Sequence, residues 1–152
     1  MIRAEESHVE LIELMLRHYP FAKVNGNIIN ENYGCVGNLN HNLLESAIYS
    51  GINEYYYNDN DDLIYIVSLI AFKMAKNHCF TDANKRTSLT FMMFLFALFG
   101  IDVGINEDER ALIFEKMVEN SDFNLLYNTL KTTCKLSTAQ IINVKSDSSL
   151  GG

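Results

Sequence analysis

The sequence predicts an all-α fold: a compact bundle of about six helices with one small hairpin flap. Three observations lead there. The 152 residues include one proline, Pro20, so almost nothing interrupts a helix. Apolar residues recur at helical spacing from the N-terminus onward. Two stretches, Leu63–Lys76 and Ser88–Phe99, are apolar nearly all round, which suits helices buried on every side. A chain of this length suits one domain and can bury a core without disulfides or metal.

The elements follow in order. Glu5–Arg17 carries Val9, Ile12 and Leu16 on one stripe, and Pro20 ends or follows that helix. Lys23–Asn38 interleaves Gly26, Gly34 and Gly37 with asparagines. It reads as a loop with a short hairpin turning at Asn25-Gly26. Asn40 or Asn42 caps a second helix whose face is Leu43, Leu44, Ala47 and Ile48. "NEYYYNDNDD" reads as a polar, aromatic linker, and Asp61 and Asp62 suit the first turn of the helix that follows. That helix, Leu63–Lys76, is central and stops at Asn77-His78. Ser88–Phe99 is its partner, with Gly100 as the residue just past its end. Asn106 with Glu109 starts a helix through Val118, and Ser121 starts another with Phe123, Leu126 and Leu130 inward. Residues 1–134 form the predicted domain. Residues 135–152 are polar and small and read as a disordered tail.

Charge narrows the function. A net charge of −7 argues against binding a nucleic-acid backbone, which needs clustered cations, but leaves room for a single nucleotide held by a few of them. "LTFMMFLFALFG" is too short to cross a bilayer, which takes roughly 20 residues, so no membrane partner is expected. The N-terminus has acids where a secretory signal has basic and apolar residues. Three cysteines without a CxxC spacing read as reduced thiols in a cytosol.

The densest polar chemistry, "HCFTDANKRT" at His78–Thr87, lies between the two most apolar segments. A rigid helical pair with a short polar connection carries its chemistry at its end. The amides around Ala83–Arg86 open from a helix N-terminus, where anions bind, and Lys85 and Arg86 add two positive charges. Asp82 suits Mg²⁺ shared with phosphate oxygens. His78, with an ordinary pKa of about 6.5, suits a general base. Together these residues equip a phosphoryl or nucleotidyl transfer to a hydroxyl. Blander readings stand beside this one: a histidine partnering a helix dipole, an Asp-x-Asn cap and a solvated Lys-Arg pair. An adjacent His78-Cys79 pair does not have the ligand spacing of a structural zinc site.

The spacing resembles a known signature. "HCFTDANKR" is similar to H-x-F-x-[D/E]-[G/A]-N-[G/K]-R of the Fic/Doc superfamily, and every fixed position matches. "NLLESAI" resembles a second recurring stretch of its Doc-like branch, so that the resemblance covers about residues 23–120. It implies His78 as the base, Phe80 as a buried anchor of the loop and Asp82 as the residue that holds Mg²⁺ or orients the phosphates. Ala83, Asn84, Lys85 and Arg86 would form the cradle for the phosphates of ATP. Lys23–Asn38 would be the flap on which a target protein segment docks by strand addition.

Nucleotidyl-transferring relatives resemble one another in having Gly-Asn-Gly-Arg where this chain has Ala83-Asn84-Lys85-Arg86. A lysine there would crowd the α- and β-phosphates and suit a terminal one. "DANKRT" is similar to Doc toxins, and the resemblance implies a kinase that moves the γ-phosphate of ATP onto a hydroxyl of a protein such as translation factor Tu. AMP transfer to a protein hydroxyl is the alternative, and a non-catalytic binding protein is the third reading. A kinase of translation needs restraint. The inhibitory helix of many relatives, [S/T]-x-x-x-E-[G/N], has no full match. The nearest stretch, "SGINEY" at Ser50–Tyr55, has tyrosine last. An antitoxin acting in trans near Arg86 is the expectation that follows.

Overall fold

The structure, a computed structural model, describes residues 1–30 and 38–137. They form seven helices and one short antiparallel ladder, so the fold is all-α as the sequence predicts. The helices are α1 (Glu6–His18), α2 (Phe21–Asn30), α3 (His41–Tyr57), α4 (Leu63–Lys76), α5 (Asn84–Leu98), α6 (Glu107–Glu119) and α7 (Phe123–Thr133). Strands β1 (Ile101–Val103) and β2 (Cys134–Leu136) pair with Ile101 opposite Leu136 and Val103 opposite Cys134.

α4 is the axis of the bundle. Leu63, Ile66, Val67, Ile70, Ala71 and Met74 are among its buried residues, and α3, α5, α6 and α7 all pack on it. α5 sits beside it through Phe91, Met92, Leu95 and Phe96. α3 approaches α4 closely because Gly51 has no side chain. A Cβ there would come within 2.5 Å of the Ile70 side chain and 2.9 Å of the Ile66 carbonyl oxygen. An aromatic cluster of Tyr19, Phe21, Phe91 and Phe94 anchors α2 against α5. No helix among the described residues is long and apolar enough to cross a membrane.

Three expectations change. The turn expected at Asn25-Gly26 is inside α2, because Phe21, Asn25 and Ile28 recur at helical spacing and bury one stripe against α5. The remainder of the expected flap, residues 31–37, lies outside the described residues. α3 runs on to Tyr57, so "NEYYY" is helix rather than linker, and "SGINEY" lies within α3. Its Glu54 accepts a hydrogen bond from Asn60 Nδ2 at 3.2 Å. Lys135 and Leu136, assigned to the tail by composition, belong to β2. There the backbone pairing with β1 outweighs their polar context, and Ser137 N–H donates to the Gly100 carbonyl at 2.8 Å. The other tail residues, 138–152, lie outside the described ones.

Candidate active site

The α4–α5 connection is built from two left-handed residues. After the cap at Asn77, His78 has φ 52°, and Ala83 has φ 58°. Each turns the chain sharply, so α5 starts beside the end of α4 and not in line with it. For a residue with a Cβ, the left-handed region costs roughly 1–2 kcal/mol, so the conformation has to be held from outside. Asn84 supplies part of the hold. Its Oδ1 accepts from the Phe80 N–H and its Nδ2 donates to the Phe80 carbonyl, both at 2.8 Å. Phe80 and Cys79 are buried between them. Burial pushes the Cys79 thiol up to about 11, so at neutral pH it is a core thiol and no nucleophile.

The residues singled out by the sequence therefore lie on one loop. His78 is exposed at its start, in a cleft of about 580 Å³ whose other lining residues include Leu39, Asn40, His41 and Thr81. Asp82 is exposed, and its Oδ1 accepts from the Ala83 N–H at 2.7 Å. Asn84, Lys85 and Arg86 form the first turn of α5, and no side chain caps that turn among the described residues. With Oδ1 and one Nδ2 hydrogen closed on Phe80, Asn84 keeps its backbone N–H and the second Nδ2 hydrogen to offer an anion. Lys85 leans towards α6, with Nζ 3.7 Å from Glu115 Oε1 and 3.6 Å from Glu119 Oε1. Arg86 is exposed and makes no ion pair among the described residues. It rims a groove of about 570 Å³ lined by Val24, Ile28, Leu89 and Ala111.

Two contributors escape the sequence reading. Leu39 forms a single antiparallel bridge with Phe80, and Asn40 N–H donates to the Cys79 carbonyl at 2.7 Å, so residues 39–40 are laid along the loop. Nothing local marks Leu39, since its bridge partner Phe80 is far along the chain. Asn25 is fully buried on α2. Its Nδ2 donates to the Asp82 carbonyl at 2.9 Å and to Thr87 Oγ1 at 3.0 Å. The helical spacing of Phe21, Val24, Asn25 and Ile28 was its signal, hidden by the Asn-Gly dipeptide.

A histidine, a carboxylate, two cations and an open helix start on one braced loop match the family signature residue by residue. A model of the Fic/DOC family matches residues 13–96, more than half of the chain. This chain belongs to the Fic/DOC family. No curated protein matches it. Fic/DOC proteins are typically transferases that act on protein hydroxyls, and the matched span runs from within α1 through the loop to the last turn of α5.

Proposed function

We propose that this Fic/DOC chain is a Doc-like toxin: a protein kinase that transfers the γ-phosphate of ATP to a Ser or Thr hydroxyl of a target such as translation factor Tu. The observation that carries the reading is the uncapped start of α5, entered through left-handed Ala83 and flanked by Lys85 and Arg86. Free N–H groups, the helix dipole and two cations favour a polyphosphate there. Asp82 fits a Mg²⁺ that takes its other oxygens from phosphate and water, and the metal would neutralise charge on the transferred group. The exposed His78 imidazole, in the cleft beside Leu39, would accept the proton of the target hydroxyl as its oxygen attacks phosphorus. Restraint in trans by an antitoxin near Arg86 belongs to this proposal. It is supported by Glu54 of the nearest inhibitory-helix stretch bonding to Asn60.

One observation favours AMP transfer as a second reading. Lys85 is drawn towards Glu115 and Glu119, which leaves more room for the α- and β-phosphates than an inward lysine would. Incubation in a bacterial lysate with ATP labelled at the γ- or the α-phosphate separates the two. We expect label on protein from the γ-position. Label from the α-position alone means AMP transfer, and none from either means a binding protein.

A further inference from the structure

We propose that Asn25, on α2, is a positioning residue for the phosphate loop. The inference rests on the nucleotide reading of the α5 start. Asn25 donates from one nitrogen to two acceptors that bracket the cradle: the Asp82 carbonyl before it and the Thr87 hydroxyl at its far end. Between them lie Ala83, Asn84, Lys85 and Arg86. Asn84 ties the first half of the loop to Phe80, but no bond of its side chain reaches the half that faces the phosphates. That half contains the left-handed Ala83. Without a partner on the Asp82 carbonyl, Ala83 can relax to a right-handed conformation. The Asp82 carboxylate and the first-turn N–H groups then turn away from a common point.

A purely structural role explains Asn25 badly. Its Oδ1 is buried with no partner among the described residues, and a buried unpaired oxygen costs stability. An apolar side chain of the same size would fill the α2–α5 contact without that unpaired oxygen. What it could not do is hold Asp82 and Thr87 together.

Asn25→Leu keeps the size and removes the amide. Four quantities are measured on the full chain: thermal unfolding, affinity for MgATP by calorimetry, transfer from γ-labelled ATP, and amide exchange at Thr87, whose N–H donates to the Ala83 carbonyl at 2.9 Å. We expect a folded variant whose Tm is lower by a few degrees, because the buried Thr87 hydroxyl and the Asp82 carbonyl lose their donor, and MgATP affinity and turnover each lower by roughly tenfold, the scale of two lost hydrogen bonds. Exchange at Thr87 should be faster while the middle of α4 is unchanged. Adding Thr87→Val to Asn25→Leu should weaken MgATP no further, since the bond that Thr87→Val removes is already lost in Asn25→Leu. Unchanged affinity and unchanged exchange in a folded Asn25→Leu overturn the proposal. If Asn25→Leu does not fold, Thr87→Val alone decides: weaker MgATP binding supports the role and unaltered binding overturns it. If the wild-type chain binds no MgATP, the nucleotide reading has failed. Exchange then decides by itself, with faster Thr87 exchange supporting the brace and unchanged exchange removing it.

Discussion

At the end of α4, Asn77 closes the helix and His78 follows with φ 52°; at the end of α6, Asn120 closes it and Ser121 follows with φ 51°. Both junctions thus leave a helix by the same left-handed step, without the glycine that usually takes it. They then diverge. After Ser121 the chain needs only Asp122, whose carboxylate accepts from the Leu125 N–H at 3.3 Å, to begin α7. After His78 it spends Cys79–Ala83 before α5 begins, and α5 begins on an alanine with no side-chain cap. Starts at α3, α4 and α6 resemble α7, with Asn40, Asp62 and Asn106 as caps. Four extra residues and one missing cap mark the difference between a connection and a site. The donors that a cap would consume stay open to an anion.

The largest expected effect sharpens this pair. His78→Ala and Ser121→Ala each put alanine at a left-handed position of nearly equal φ, so their effects on folding should be alike and small. Only His78→Ala should remove transfer, by the roughly 10²- to 10⁴-fold typical of a lost general base. Label transfer measured beside thermal unfolding checks both. Near-wild-type transfer by His78→Ala would take the histidine out of the mechanism.

Lys85→Gly comes next. It removes the pairing with Glu115 and Glu119 and puts glycine in the first turn of α5, costing up to about 1 kcal/mol of stability. The half-exposed ion pairs themselves contribute little. The larger change should be in product: γ-phosphoryl transfer lost and AMP transfer gained if the side chain selects the ATP pose. An unchanged γ-labelled product would mean that it does not.

The two junctions also differ in how they were read. Asn106, Asp122 and the α4 boundaries were legible because caps and periodicity are local, and their side chains are placed by their neighbours. The signature residues were legible as a string but not as a shape. Ala83 gives no local sign of its left-handed backbone, and Asn84 gives none that its amide turns back on Phe80. Asn25 resembles a turn residue because an Asn-Gly pair is a turn signal in isolation, whereas burial of one helical stripe of α2 against α5 decides its conformation. Leu39 acts through a contact distant in the chain, which local pattern does not encode.

Cap chemistry gives a smaller effect. Asp122→Ala should cost about 1 kcal/mol, lowering Tm by a few degrees with transfer unaffected. Ala83→Gly should do the reverse at the other junction. It relieves the strain at φ 58°, worth up to roughly 1 kcal/mol, so Tm should hold or rise. Loss of stability in Ala83→Gly would mean that Ala83 is not strained and that the loop needs no external brace.

The smallest effect lies at α1, whose start is held by histidine instead of by Asn or Asp. His8 Nδ1 accepts from the Glu5 N–H at 2.9 Å, and its ring meets Phe99 edge-on at 4.9 Å. Burial lowers its pKa, against a weaker opposing pull from the Glu5 carboxylate. The folded state therefore keeps His8 neutral to a lower pH than the unfolded chain does, where the value is about 6.5. Below that value the unfolded chain binds the proton first, so stability is full above it and is lost as pH falls towards the folded pKa. Protonation at Nδ1 also ends the bond from Glu5. His8→Gln has no titrating group, so its Tm should fall less than that of wild type between about pH 7.5 and about pH 5.5. The other acids and histidines are common to both chains and cancel in the difference. Equal slopes would mean that the α1 start does not depend on a neutral imidazole, and that this histidine, unlike Asp122, is not acting as a helix-start partner.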